Sequence, residues 1–587
     1  MTETTPHRTA PGAPFLPGSR RRTSLAGLLR RAGKCLDTAA RGAGRPRGAM
    51  SWVSLLIALL FIVPIATVTA HVLMPRNSDV WSHLAATVLP RYIWNTVWLI
   101  LGVGVIVPVV GAGTAWLVTV CRFPGRRFFE WALILPLAVP AYVMAYAYTD
   151  FLQFTGPLQS ALRDVFDLAP RGYWFPEIRS LPGAVAMLAF VTYPYVYLLA
   201  RASFLEQSVC ALEVSRTLGC TPWQAFRRVS LPLARPSIAA GTALALMETL
   251  ADFGTVSYFG VQTFTTGIVR AWAAFGDRIA AGQLAAVLLG FVFLILLLER
   301  QSRGRARYYH TSARYRHLPG YRLRGGKAVA AVVACTLPIL LGFALPALIL
   351  IKLALGISGA GLGARFLDLA WNSFTLAAVT AAFAVILAAI LAYGQRLSPT
   401  PLNLLAIRIA GMGYAIPGTV IAIGVLIPFA ALDTAVDNFM RANLGVSTGL
   451  LLTGGIAALV FAYLVRFMAV ALHTVEASMG RIKPSLDDAA RTLGHGPVGT
   501  LLRVHAPLMG GSLATAGLVV FVDVMKELPA TLVMRPFNFD TLAVQAHNLA
   551  ADERLAEAAT AALSIVAVGI LPVILLSKTI ARSRPGH

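Results

Sequence analysis

The chain has 587 residues, of which 57% are hydrophobic and only 13% are charged, and its mean hydropathy is +0.70. Soluble proteins are about half apolar and about a quarter charged, so this composition excludes an ordinary globular protein. The net charge of +24 would suit a nucleic-acid-binding protein, but such a protein has no use for so much apolar sequence. The five cysteines are scattered, which excludes a disulfide scaffold. The remaining class is a membrane protein with several spans, which needs the lipid bilayer and no nucleic acid as a partner.

The excess positive charge is concentrated in two segments. Residues 1–50 contain ten Lys and Arg against two acids, and residues 300–327 contain nine and no acid. Basic residues that flank spans stay on the cytoplasmic side, so both segments are predicted to be cytoplasmic. The Pro- and Gly-rich residues 1–50 are predicted to be a disordered tail that sets topology, with binding of RNA or lipid as the alternative.

The apolar segments predict an all-α polytopic membrane protein with about twelve transmembrane helices, since a span needs ~20 mostly apolar residues. Six spans precede the basic linker 300–327 and six follow it, which divides the chain into a first domain 51–299, a second domain 328–580 and a short tail 581–587. Acidic residues favour one set of connecting loops and basic residues the other, so both termini are predicted to be cytoplasmic. The predicted spans are 51–74, 92–120, 131–153, 182–205, 235–259, 283–299, 328–352, 371–394, 402–430, 449–472, 510–534 and 557–577.

Short motifs recur between the two domains. Trp94-Asn95 returns as Trp371-Asn372 at an offset of 277 residues, and Arg216-Thr-Leu-Gly219 returns as Arg491-Thr-Leu-Gly494 at an offset of 275. Two copies of one six-span unit explain these offsets. Because six is an even number, both copies enter the membrane in the same orientation and form a parallel repeat.

A loop motif occurs once in each half of the sequence. The first copy is Glu213-Val-Ser-Arg-Thr-Leu-Gly219, nine residues, then Val229-Ser-Leu231-Pro232, and the second runs from Asp488-Ala489-Ala490 through Gly494 to Val504-His-Ala-Pro507. An acid is favourable at the start of a helix, glycine permits a sharp reversal, and Pro222 and Pro497 suit the first turn of a second helix.

These loops resemble the signature loop of bacterial ABC-importer permeases, Glu-Ala-Ala, three residues, Gly, nine residues, Ile-x-Leu-Pro. The resemblance implies the type I importer permease fold and a helix–turn–helix that docks on an ATPase subunit. It assigns ATPase coupling to Glu213, Gly219, Pro222, Leu231, Pro232, Asp488, Ala489, Ala490, Gly494, Pro497 and Pro507.

The chain contains no phosphate-binding loop of its own, because residues 320–328 place the lysine one position late and lack the hydroxyl residue. We therefore expect a transport subunit without catalytic residues or a bound cofactor. ATP with Mg²⁺ is expected to be used by two copies of a separate ATPase.

The span after each signature loop contains two acids at membrane depth. Glu248 and Asp252 align with Asp523 and Glu527 at the offset of 275. The i, i+4 spacing predicts that both carboxylates of a pair lie on one helical face. Acids inside a membrane are costly and usually line a pathway, and four carboxylates suit a hard cation. We predict a translocation pathway, with transient metal ligation by these four residues as the narrower hypothesis. The structural alternative is that Lys526 neutralises one acid, or that some acids reach the cytoplasmic end and cap or salt-bridge the signature loop.

The sequence around these acids resembles the fused two-domain permease of ferric-iron importers. The matching segments are Glu248-Thr-Leu-Ala-Asp-Phe-Gly-Thr255 and Lys526-Glu-Leu-Pro-Ala-Thr531. The resemblance implies Fe³⁺ as substrate, an extracytoplasmic iron-binding protein as partner, and a location in the bacterial plasma membrane. Thiamine, polyamine or phosphonate remain alternative substrates, and an ion-coupled secondary carrier is the weaker alternative machine. Pro140 and Pro417 are expected to kink or break the third span of each half.

Overall fold

A computed structural model describes residues 49–71, 86–170, 172–206, 217–303, 321–356 and 363–582. Nearly all of the predicted tail 1–50, most of the linker 300–327, the end of the tail 581–587 and the signature-loop residue Glu213 lie outside the described residues.

The first half is built from helices joined by short connections. Its elements are α1 (Ala49–Ala70), α2 (Leu89–Val120), strand β1 (Cys121–Arg122), α3 (Arg126–Ala132), α4 (Ala141–Leu152), α5 (Pro157–Phe166), α6 (Leu181–Glu206), α7 (Pro222–Ala225), α8 (Leu231–Ala251), α9 (Gly254–Tyr258), α10 (Phe264–Ala273) and α11 (Arg278–Arg303). A 3₁₀ turn, Leu135–Ala138, separates α3 from α4, and a π-helical turn, Phe226–Ser230, joins α7 to α8.

The second half repeats this order. Its elements are β2 (Tyr321–Arg322), α12 (Gly326–Ile339), α13 (Leu345–Leu355), α14 (Ala364–Leu397), α15 (Pro401–Ala410), α16 (Gly418–Leu444), α17 (Ala457–Met479), α18 (Pro484–Thr492), α19 (Pro497–Thr500), α20 (Ala506–Leu508), α21 (Gly510–Met525), α22 (Pro529–Met534), α23 (Leu542–Ala551) and α24 (Leu555–Arg582). π-Helical turns at Leu340–Ala344 and Leu501–His505 join α12 to α13 and α19 to α20, and a 3₁₀ turn, Gly413–Ala415, precedes α16.

The predicted fold class is confirmed. In the described residues ten helices are long and apolar enough to cross a membrane, and two bent helix pairs raise the number to twelve if each pair is one span. The helices before and after Pro140 meet at 91°. The break expected at Pro417 in the span 402–430 is also confirmed, because the helix ends at Ala410 and a new helix begins at Gly418, after Pro417, which has no N–H to continue the preceding turn.

The two halves interleave through their first helices. Helix α1 packs on α15 and α16 of the second half, while α12 and α13 contact α3 and α4 of the first half. One buried contact of this kind is polar, since the Asn403 side chain donates to the Ser51 hydroxyl at 3.1 Å. Exchange of the first helices makes the interface between the halves continuous with the core of each half.

The end of the linker is attached to the first half by a short parallel pairing. Strands β1 and β2 place Cys121 opposite Tyr321 and Arg122 opposite Arg322. The Leu323 N–H also donates to the Arg122 carbonyl at 3.0 Å. The second half therefore begins on the connecting loop between α2 and α3.

Candidate functional site

The four predicted acids line one cavity between the two halves. Glu248 lies in the last turn of α8, Asp252 follows it, and Asp523 and Glu527 occupy the corresponding places at the end of α21. The other lining residues include the start of α4, the middle of α6 and a stretch of α17. We call this space the acidic cavity, defined by Glu248, Asp252, Asp523, Glu527, Arg466 and Lys526.

Asp252 and Glu527 do not lie on the helical face predicted for them, which corrects the interpretation of the i, i+4 spacing. Helix α8 ends at Ala251 and α21 ends at Met525, so each second acid belongs to the break that follows. The Asp252 carboxylate accepts hydrogen bonds from the backbone N–H of Thr255 and of Val256, both at 3.1 Å. It therefore caps α9, whose first N–H groups have no partner within the helix.

Glu527 makes the same arrangement in the second half. Its carboxylate accepts hydrogen bonds from the N–H of Ala530 at 3.1 Å and of Thr531 at 3.2 Å, the first turn of α22. The donors Thr255 and Val256 correspond to Ala530 and Thr531 at the offset of 275 residues. Asp252 and Glu527 therefore cap short helices inside the cavity and not the signature loops.

Glu248 and Asp523 differ in their partners. Asp523 forms an ion pair with Lys526 at 2.9 Å, whereas no ion pair of Glu248 is found in the part of the chain that the structure describes. The same described residues contain no group of three His, Cys, Asp or Glu side chains that could hold a metal ion. Metal ligation by the four acids therefore stays a prediction, for a conformation other than this one.

Arg466 of α17 is a charged residue of the cavity that no sequence motif indicated. Its side chain is 8% exposed and its Nη1 lies 3.6 Å from Glu527 Oε1. A basic residue within the predicted span 449–472 was the available signal, because charges inside spans are rare and usually face an interior. Tyr142, Tyr195 and Tyr414 also line the cavity.

Other tyrosines of α4 and α6 hold neighbouring segments together. The hydroxyls of Tyr148, Tyr193 and Tyr197 donate to backbone carbonyls at 2.7, 3.0 and 2.8 Å respectively. Tyr146 lies 2.8 Å from the ring of His547, on an element of the other half. These contacts fasten helices to one another.

The signature loops have the turns that the sequence predicted. Gly219 and Gly494 have φ of 76° and 80°, a left-handed conformation that costs other residues about 1–2 kcal/mol. Helices α7 and α19 begin at Pro222 and Pro497, and Leu231, Pro232 and Pro507 lie in the helices that follow.

Each signature loop presents apolar side chains at its surface. Leu218 and Leu493, which correspond at the offset of 275, are both 76% exposed. Trp223 and Val498, another corresponding pair, are 64% and 59% exposed. Apolar side chains are therefore exposed at the same places in both loops.

The acid in the first turn of the second loop's helix is Asp487, one residue before the predicted Asp488. Helix α18 begins at Pro484, so Asp487 lies in its first turn while Asp488 lies one residue later and is exposed. Asp487 is held by Arg396 Nε at 2.8 Å and by the ring of buried His505 at 2.5 Å. Arg396 also donates to the carbonyls of Met479 and Ile482. Within α18, Ala490 is buried, while Ala489 is exposed.

The first half has different residues at the positions that correspond to Arg396 and His505. Arg396 and His505 correspond to Thr119 and Ser230, neither of which is charged. Instead Trp116 packs on Phe204 and Phe226, with ring centroids 5.7 and 5.1 Å apart. Within the residues that the structure describes, an ionic anchor of the signature loop is therefore found in the second half.

The contacts of Asp487 predict that the stability of the protein depends on pH. Burial raises the pKa of Asp487, but the hydrogen bonds from Arg396 and His505 outweigh it and lower the pKa below its ordinary value. A carboxyl with a lowered folded-state pKa contributes stability above its unfolded pKa of about 3.9, and this contribution is lost as pH falls further. Thermal unfolding of the wild type and of Asp487→Asn should therefore differ at pH 7 and converge toward about pH 3.

Asp488→Asn is the matched control, because Asp488 lies in the same helix and its only described ion pair, with Arg491, is exposed. Its unfolding temperature should follow the wild type at every pH. A constant difference between Asp487→Asn and the wild type across the pH range would contradict an ionic anchor.

Comparison with known proteins agrees with this architecture. The family model described as binding-protein-dependent transport system inner membrane component matches residues 108–300. The Fe(3+)-transport system permease protein FbpB 2 of Haemophilus influenzae is 26% identical over 542 residues, which cover 91% of this chain and 99% of that protein.

Shorter permeases match part of the chain. The sulfate transport system permease protein CysW of Escherichia coli is 32% identical over 208 residues, covering 35% of this chain and 67% of that protein. The molybdenum transport system permease protein ModB of the same species is 28% identical over 202 residues, covering 33% and 85%.

Proposed function

The chain belongs to the family of binding-protein-dependent transport system inner membrane components, the permease subunits of ABC importers, and we propose that its cargo is ferric iron. It is a multi-pass membrane protein and a transport component, not an enzyme. In this proposal the acidic cavity is the part of the pathway that receives the cation, and the two halves open it alternately to either side of the membrane.

The observation that carries the proposal is the convergence of four carboxylates in one cavity between the halves. Carboxylate oxygens are hard ligands that suit a hard cation such as Fe³⁺. A relative that matches along 91% of the chain is named for Fe(3+) transport. Sulfate and molybdenum permeases also match, but a cavity with four acids and two basic side chains repels an oxyanion more than it attracts one.

The exposed apolar residues support docking of two ATPase subunits, one on each signature loop. Leu218 and Leu493 have equal exposure on surfaces related by the repeat, so two copies of one partner fit them. We assign the side of the membrane with these loops to the cytoplasm, together with both termini, because the basic segments 1–50 and 300–327 lie on that side of the predicted topology. The partners consume ATP with Mg²⁺, and an extracytoplasmic iron-binding protein delivers the cargo to the opposite side.

The test of the cargo is uptake of radioactive Fe³⁺ by vesicles that contain this chain, its ATPase and its binding protein. Glu248→Gln keeps the size of the side chain and removes a charge from the cavity, so we expect the initial rate to fall about tenfold, the equivalent of about 1.4 kcal/mol. Glu557→Gln is the control, since Glu557 is an exposed partner of Arg554 outside the cavity. Normal uptake by Glu248→Gln would reduce the acids to structural residues.

Substrate identity is decided in the same vesicles by competition. Excess thiamine, polyamine, phosphonate, sulfate or molybdate should leave Fe³⁺ uptake unchanged. Strong inhibition by one of them, or Fe³⁺ uptake that persists in cells without this gene, would show that the cargo assignment is wrong. Uptake that needs no ATP would favour a secondary carrier instead.

Coupling to the ATPase is tested by placing charge on the docking surfaces. The double variant Leu218→Glu with Leu493→Glu should lose association with the ATPase and transport-stimulated ATP hydrolysis, because the charges oppose burial of this apolar surface. Leu450→Glu is the matched control, as Leu450 is 60% exposed on the loop at the other end of α17. Full coupling in the double variant would contradict docking at these residues.

A further inference from the structure

Arg466 lies in the acidic cavity with part of its hydrogen-bonding capacity unused. The side chain is 8% exposed, and Nη1 is buried without a hydrogen-bond acceptor among the described residues. Its nearest acid, Glu527, lies 3.6 Å away, within ion-pair distance but beyond a hydrogen bond. A buried guanidinium is costly unless it is fully paired, so this position calls for a reason other than stability.

The surroundings leave room for Arg466 only because a glycine faces it. A Cβ placed on Gly418, the first residue of α16, would lie 2.3 Å from Arg466 Nη1 and 2.6 Å from Glu527 Oε1. Any larger residue there would push the two charges apart. The start of α16, Arg466 and Glu527 thus form one fitted arrangement at the wall of the cavity.

The basic side chains of the cavity come from one half only. At the offset of 275 residues that relates the two acid pairs, Arg466 corresponds to Val191 and Lys526 to Ala251, and both of these also line the cavity. The first half therefore contributes Glu248 and Asp252 and no lining cation, while Arg466 and Lys526 of the second half interact with Glu248 as well as with the acids of their own half. Both basic side chains that line the cavity therefore come from the second half, although the acids come from both halves.

We propose that Arg466 is a built-in counter-cation of the translocation pathway, which neutralises the acids of the empty cavity and is displaced from them by a multivalent cation. The proposal rests on the proposed function, since it assumes that the acids receive a cation. It makes Arg466 a residue that determines specificity by charge. The carboxylates attract a monovalent cation no more strongly than they attract the single charge of Arg466, so such a cation does not displace it. At equal distance their Coulomb attraction for a trivalent cation is about three times larger.

The experiment uses the full-length chain purified in lipid nanodiscs, with Tb³⁺ as a hard trivalent probe. Tyr142, Tyr195 and Tyr414 line the cavity, so excitation of tyrosine should sensitise the luminescence of Tb³⁺ bound there. Arg466→Gln removes the competing charge, and we expect it to bind Tb³⁺ about tenfold more tightly than the wild type. Arg466→Lys keeps the charge and should remain close to the wild type.

Arg201→Gln is the matched control. Arg201 is another buried arginine, 9% exposed and paired with Glu130 at 3.1 Å, but it does not line the cavity. Its loss should leave Tb³⁺ affinity unchanged. Arg466→Met, which fills the buried position with an apolar chain of similar length, serves as a second neutral variant if Arg466→Gln unfolds, and it should also tighten binding.

A double-mutant cycle locates the effect. If Arg466 competes through Glu527, the tightening caused by Arg466→Gln should shrink to less than about threefold in the Glu527→Gln background. Equal affinity of the wild type and both neutral variants, or equal tightening by Arg201→Gln, would overturn the role of Arg466. Absence of Tb³⁺ luminescence from every variant would overturn the cation pathway itself, a failure distinct from that of Arg466.

Discussion

The structure depends on the capping of two broken helices inside the membrane. A helix that begins inside a membrane exposes the backbone N–H groups of its first turn, which lipid cannot satisfy. Asp252 and Glu527 satisfy the first N–H groups of the short helices that follow α8 and α21. The same carboxylates face the cavity between the halves. The acids of the proposed cation pathway are thereby held in place by the backbone that they stabilise, so the fold and the proposed transport share one set of residues.

The two halves repeat in backbone and differ in charge. Equivalent glycines turn both signature loops and equivalent acids cap both breaks, yet Arg466 and Lys526 in the cavity belong to the second half. The ionic anchor of Arg396, Asp487 and His505 is also described in the second half, whereas Trp116 of the first half packs on Phe204 and Phe226. Fusion of the halves in one chain permits such division, because each copy always meets the other and never a second copy of itself.

Much of the site followed from sequence where the chemistry is local. Gly219 and Gly494 were placed in turns because a left-handed φ favours glycine. The break at Pro140 followed from its missing N–H. Spacing misplaced Asp252 and Glu527 on a helical face, since the periodicity of a helix does not show where the helix ends. Arg466 was overlooked because one basic residue in an apolar span has no motif around it.

The sequence by itself determined the class of molecule, since composition, span length and the distribution of Arg and Lys are properties of segments and survive without knowledge of contacts. It also determined which acids matter, through their recurrence at a fixed offset. Only the tertiary structure decided what these acids meet. Residues as distant as Asp252, Arg466 and Glu527 share one cavity because the halves interleave and face each other. The balance of charge in that cavity is a property of the packing between segments, which no local pattern encodes.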